Sequence, residues 1–178
     1  MTKNNKMYFK TPSQTVGPFF RNYLNFNLSK KTYTNFNEKI NSKIMIKLNL
    51  KDKKKQLVKD AFIEYWQVLQ NNNNLLHFNR INYSTKKKSY LISLNEYKSN
   101  TIIYITIFAR GLLNHLNTII YLEDKSFYKK DHFYKKLPIE RRKLMLAKLK
   151  KLTNDIKYYE HDIFLSGIKE TVFFNFDN

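Results

Sequence analysis

The run Ile102–Ala109, IIYITIFA, followed by Arg110 and Gly111, carries the strongest strand signal in the chain. β-Branched and aromatic residues fill it, and these suit a pleated, half-buried surface. Strand alternation puts Tyr104, Thr106, Phe108 and Arg110 on one face. Arg110 then emerges at a strand end, where Gly111 lets the chain turn away. Its guanidinium either faces an anion or pairs with a carboxylate such as Glu64, and the sequence leaves both open.

Outward from this strand the period stays near two. Ile44, Ile46, Leu48 and Leu50 alternate with Met45, Lys47 and Asn49, which predicts a strand. Lys51–Lys55 reads as a charged turn into a second strand, Gln56–Val68, the pair forming a hairpin. Within AFIEYWQ, Glu64 and Trp66 share a face, and a paired core carboxylate is the expected state of Glu64. Arg21–Lys43 is weakly patterned, Asn71–Asn74 is a polar loop, the stretch through Tyr83 is ambiguous, and Ser89–Leu94 resumes strand character. One helix is expected from Pro138 through Lys151, with Pro138 at the first helical position, Glu140 near the positive end of the dipole, and Leu144, Met145, Leu149 and Leu152 in a stripe packed on the sheet. Regular turns between short strands predict an all-β, two-sheet β-sandwich with one or two short helices, residues 1–178 forming a single domain.

Composition bounds the function. At 178 residues with 42% hydrophobic content the chain can bury a core without staples, and it has no cysteine for disulfides or thiolate metal sites. There is no apolar leader at the start and no run of roughly 18 apolar residues, so the expectation is a soluble, cytoplasmic protein without a membrane partner. The net charge of +19 invites nucleic acid, but 28 of the 33 cations are lysines strewn from end to end, with runs at Lys53–Lys55 and Lys86–Lys88 in turns. That is the pattern of a solvated surface, and no nucleic-acid partner is expected. The 22 asparagines beside 3 alanines and 3 glycines fit the drift of tolerant positions under AT-rich coding. His77, His115, His132 and His161 show no close metal-ligand spacing, and no P-loop, dinucleotide fingerprint or nucleophile motif occurs.

Two further stretches are rule-bound. Thr11–Phe20, TPSQTVGPFF, holds two of the three prolines and reads as a rigid, non-helical arm (residues 1 to about 20), anchored by Phe19 and Phe20. Glu170–Phe176, ETVFFNF, reads as a C-terminal strand. Taken with AFIEYWQ, the block IFARGLLNHLNTIIYLED, the helix start LPIERRKLMLA and DIFLSGIK, these stretches resemble the α-type chain of the protocatechuate 3,4-dioxygenases, a group of the intradiol ring-cleaving dioxygenases. Gly17, Gly111 and Gly167 all fall inside the matching blocks.

The resemblance implies a hetero-oligomer of α-β units in which a homologous β-type chain carries the catalytic Fe(III), held by two tyrosines and two histidines. The positions that match the β chain's histidine-bearing strand are Ile102, Ile103 and Tyr104 here, so this chain is expected to bind no metal and to hold no catalytic residue by itself. It also implies that Thr15, Val16, Gly17, Pro18 and Arg110 line the substrate cavity of the partner, where protocatechuate and O₂ react to 3-carboxy-cis,cis-muconate. The matching segments elsewhere carry an arginine where this chain has Ile119, and a glycine where it has Asn79. The alternatives are a scaffold subunit that keeps the fold without shaping a site, and a basic nucleic-acid-binding module.

Overall fold

A computed structural model describes residues 43–69, 75–97 and 101–175. The arm Thr11–Phe20, with Thr15, Val16, Gly17 and Pro18, the stretch 21–42, the loop Asn71–Asn74 and Phe176 lie outside them. Eight strands follow in order: β1 (Ile44–Lys51), β2 (Ala61–Leu69), β3 (Leu75–Asn82), β4 (Tyr90–Leu94), β5 (Thr101–Ala109), β6 (Leu116–Leu122), β7 (Leu146–Thr153) and β8 (Ile156–Phe164). Two one-turn helices, α1 (His132–Lys136) and α2 (Ile139–Arg142), sit between β6 and β7. The fold is thus mostly β, as expected.

The strands form one sheet in the order β3-β2-β5-β6-β7-β8-β1-β4. Its middle joint is short, a parallel ladder of Tyr121↔Leu146 and Leu122↔Ala147. The sheet nearly closes on itself, because the end strands β3 and β4 meet. Side chains tie this closure: the Tyr65 hydroxyl donates to Ser93 O at 3.1 Å, and Gln67 Nε2 donates to Asn95 O at 3.1 Å. Both donors stand on β2 and both acceptors on or just after β4, so hydrogen bonds replace a ladder where no strand pairing runs.

The interior is apolar and continuous. Ile46, Leu48 and Leu50 of β1 are fully buried, as their alternation predicted, and pack in one cluster with Ile63 and Tyr65 of β2, Ile92 and Leu94 of β4, Ile103, Ile105 and Ile107 of β5, and Ile163 of β8. Burying such side chains contributes about 1.5–3 kcal/mol each. Burial also pushes the Tyr65 phenol up to about 12, so its proton stays in place for the bond to Ser93.

Three expectations are corrected. β1 and β2 are not a hairpin: β1 pairs in parallel with β8 and antiparallel with β4, while β2 pairs with β3 and β5. Only the bridge Lys51↔Leu57 links the two stretches, and the second strand starts at Ala61 rather than Gln56. The helix from Pro138 stops after Arg142, with Pro138 as its cap, and a 3₁₀ turn (Lys143–Met145) leads into β7. Pairing with β6 and β8 overrides the helical stripe, and Leu149 and Leu152 end 37% and 63% exposed rather than packed on the sheet. Finally, Glu170–Asn175 forms no strand: its ladder contact is the single bridge Asn117↔Phe174.

Turn chemistry shows where composition overrode geometry. Gly111 has φ +85°, as the turn after Arg110 requires. Lys55 and Lys88 occupy the same left-handed region, at φ +63° and +51°, in turns where glycine would be unstrained. Asn154 and Asp155, both at positive φ, make the tight β7–β8 hairpin turn.

Candidate functional site

The face of β2, β5 and β6 turned away from the core carries the residues that the sequence singled out. Cross-strand register sets Phe62 beside Phe108, Glu64 beside Thr106, and Trp66 beside Tyr104 on β2 and β5, with Tyr104 beside Ile119 and Thr106 beside Asn117 on β5 and β6. The alternation read from IIYITIFAR therefore holds, and it lays out a face with two unlike ends.

One end is charged and aromatic. Glu64 accepts from the Arg80 guanidinium, with Nε at 2.8 Å and Nη2 also in contact, so the expected paired carboxylate exists. Its partner is Arg80 of β3, not Arg110. Arg80 also lies over the Phe62 ring, 4.9 Å from its centre, and Phe62 stacks on Phe108 at 4.5 Å. Thr106 Oγ1 donates to Asn117 Oδ1 at 2.7 Å. Arg110 closes this end. Its side chain is 68% exposed, and its nearest carboxylate, Asp60, stands 3.9 Å away. A contact that long at the surface contributes little, so the guanidinium keeps its capacity to meet an anion.

The other end holds Ile102 and Tyr104, some six to eight strand residues from Arg110, or roughly 20–26 Å. Here Ile102, Ile119 and Tyr121 are buried under Tyr128, Tyr134, Leu137 and Met145, with Phe133 and Phe174 packed alongside. At its polar centre is Asp131, 6% exposed, which accepts from the Tyr121 hydroxyl at 2.6 Å and from Tyr134 N at 3.1 Å, so that it caps α1. Burial, then Asp131, pushes the Tyr121 phenol far above its ordinary value; Tyr104 is raised for the same two reasons, in the same order. Burial, followed by the neighbouring Tyr128, raises Tyr134. These phenols hold their protons.

This end does not fit a ferric ion bound by two tyrosines and two histidines. Ile102 offers hydrocarbon at a position where the resemblance implies a histidine in the β chain. Of the histidines, His77 bonds the Tyr65 hydroxyl, His115 lies against Phe108, His132 lies beside Phe133, and His161 sits on β8 with Nδ1 on Leu146 O. Among the described residues no three histidine or carboxylate side chains gather as a metal site.

Arg80, Asp131 and the tyrosines Tyr121, Tyr128 and Tyr134 were not anticipated as site residues. Asp131 carried a legible signal, an aspartate directly before a short helix. Arg80 did not, because the asparagines around β3 hid the strand.

No protein-family profile matches the sequence, and no curated protein matches it. Among solved structures the chain is similar to the dioxygenase domain of a dioxygenase carbohydrate-binding protein fusion from Streptomyces sp. SirexAA-E, with a TM-score of 0.53 and 12% identity, covering 92% of this chain and 95% of that one. It is also similar to 3-chlorocatechol 1,2-dioxygenase from Rhodococcus opacus 1CP, with a TM-score of 0.51, 11% identity, and 89% and 68% of the two chains covered. For chlorocatechol 1,2-dioxygenase from Pseudomonas putida the values are 0.50, 9%, and 72% and 62%, so this chain spans less than two thirds of that enzyme. At these identities the likeness is one of architecture: the chain has the fold of intradiol catechol dioxygenases.

Proposed function

We propose that this protein is a metal-free α-type subunit that completes the active site of an iron(III)-bearing, β-type protocatechuate 3,4-dioxygenase chain. Its strands then form the two halves of a β-sandwich, joined at the short β6–β7 ladder. The observation that carries the reading is the division of the β5 face: hydrocarbon and tyrosines fill the end matching the partner's ligand strand, while Arg110, exposed and only loosely paired with Asp60, stands at the other. Ring-opening chemistry on iron belongs to the partner. This chain contributes the Arg110 guanidinium, which meets the substrate carboxylate in a charge-assisted hydrogen bond, and the Thr15–Pro18 segment, which the resemblance assigns to the cavity lining.

Co-expression with a β-type chain tests this. Arg110→Ala lowers kcat/KM for protocatechuate by about 1.5–3 kcal/mol while the assembly stays intact, and catechol without the carboxylate suffers less. The isolated chain shows no tyrosinate-to-iron charge-transfer band. Loss of assembly with unchanged kinetics in what survives makes Arg110 structural and the chain a scaffold subunit. Sequence-selective DNA binding at physiological salt puts the basic-module reading first.

A further inference from the structure

β7 is the most exposed strand described. It pairs with β6 only at Leu146 and Ala147, while β8 pairs along its other side to Thr153. From Lys148 onward, one edge therefore has no strand neighbour among the described residues, and every residue from Lys148 to Thr153 is exposed. The ladder along that edge is continued by a side chain. Glu123 N donates to Ala147 O at 3.1 Å, and Glu123 Oε1 accepts from Leu149 N at 2.7 Å, where the carbonyl of a paired strand would stand. A carboxylate is thus already accommodated against this edge.

The surroundings favour more negative charge. Lys148, Lys150 and Lys151 project from the strand, and Lys148 and Lys150 also line an adjoining groove of about 810 Å³ with Arg141, Lys143 and Lys169. The groove has three carboxylates against its five cations: Glu140, and Glu160 and Asp162, which are met from β1 by Lys47 at 3.3 Å and Lys51 at 2.6 Å, with Lys150 farther from Glu160 at 3.8 Å. Among the described residues Lys143, Lys148 and Lys169 have no ion-pair partner. Exposed apolar side chains accompany them: Leu152 at 63% on the strand and Ile168 at 99% on the groove.

We propose that the free edge of β7, with the basic groove beside it, docks an extended acidic polypeptide segment as the next strand. Its carboxylates meet Lys148, Lys150 and Lys151, and its apolar side chains cover Leu149 and Leu152. A second copy of this chain is a poor occupant, because each copy carries +19 and the paired edges would set lysines opposite lysines. Main-chain bonds of an added strand give affinity, and the charge pattern selects the partner. The proposal stands whether or not the chain serves a dioxygenase.

The test uses the full chain and a fluorescein-labelled peptide of alternating glutamate and leucine, about eight residues long. At physiological ionic strength the anisotropy titration saturates, and amide hydrogen exchange slows within Lys148–Thr153 when the peptide is bound. Lys148→Glu with Lys150→Glu weakens binding by about tenfold or more. Leu152→Asn, a milder exposed change, weakens it less, and circular dichroism confirms that both variants fold. Three results overturn the proposal: no binding, which leaves the lysines as a guard against edge-to-edge aggregation; equal affinity for an all-glutamate peptide or a single-stranded oligonucleotide, which leaves only diffuse attraction; or binding without slowed exchange in β7.

Discussion

The outer faces of β5 and β7 are built from strands of similar length, yet they are held in opposite ways. Along β5 the face is buried or half-buried until Arg110, under rings and an ion pair. Ile102 is 3% exposed, Thr106 is 8% exposed, and cross-strand Phe62 is 1% exposed. Beyond Ala147 every residue of β7 is exposed, Leu149 least at 37%, and the strand keeps its conformation mainly through the ladder to β8, the Glu123 carboxylate on Leu149 N and the Asn154–Asp155 turn. A strand can thus rest on side-chain burial or on backbone pairing alone. A cation on such an exposed strand leaves the ladder intact, so Lys148, Lys150 and Lys151 are tolerated there.

The comparison is broken most directly by truncation. Phe62→Ala should destabilise the chain by about 3–5 kcal/mol in urea unfolding, whereas Lys151→Ala on β7 should stay within about 0.5 kcal/mol. Similar effects at the two sites would mean that β7 is covered by something that buries it.

Acid should sharpen the contrast on β8, which joins the core to the exposed hairpin. Burial is the main reason that the His161 imidazole is lowered to about 4, and desolvation lowers His77 as well. A lowered histidine favours the fold while neutral, so this stability is complete above about pH 6.5 and is lost as pH falls towards 4. For His161 the loss amounts to roughly 3 kcal/mol, and His161→Leu should flatten the stability profile over that window.

Arg80→Ala probes the charged end of the β5 face. It strands Glu64, whose side chain is only 12% exposed, and should destabilise by about 2 kcal/mol at neutral pH. Glu64→Gln in the same background should recover part of the deficit, because an unpaired neutral amide costs less there than an unpaired carboxylate. A deficit that Glu64→Gln leaves unchanged would assign the effect to the lost packing on Phe62.

The smallest effect is a gain. Lys88→Gly relieves a left-handed lysine and should stabilise by up to about 1 kcal/mol, read as a raised Tm. No gain would show that the turn tolerates lysine without strain.

Legibility followed burial. Ile44–Leu50 and Ile102–Ala109 were readable because one side of each meets an apolar interior, which enforces alternation. β3 was hidden because Asn79, Arg80 and Asn82 give no apolar period. Leu146–Thr153 was misread because leucines at helical spacing imply a helix only if they face a core, and Leu149 and Leu152 do not. At the site, the face shared by Tyr104, Thr106, Phe108 and Arg110 was foreseen. Which carboxylate each arginine meets was not, since that depends on β3 lying beside β2 and on the turn that brings Asp60 towards Arg110.

By itself the sequence determined the β-rich class, the two principal core strands, the turn at Gly111 and the pairing of Glu64 with some cation. Each follows from local chemistry: period-two burial, a backbone that needs positive φ, and the cost of an unpaired carboxylate in an apolar strand. Only the tertiary structure decided the parallel β1–β8 pairing, the closure of the sheet between β3 and β4, the strand in place of a long helix at Leu146–Thr153, and the loose pairing of Arg110 with Asp60 rather than Glu64. Those features are set by which segments meet across long stretches of chain, and hydrogen-bond ladders between distant strands leave no period in either sequence.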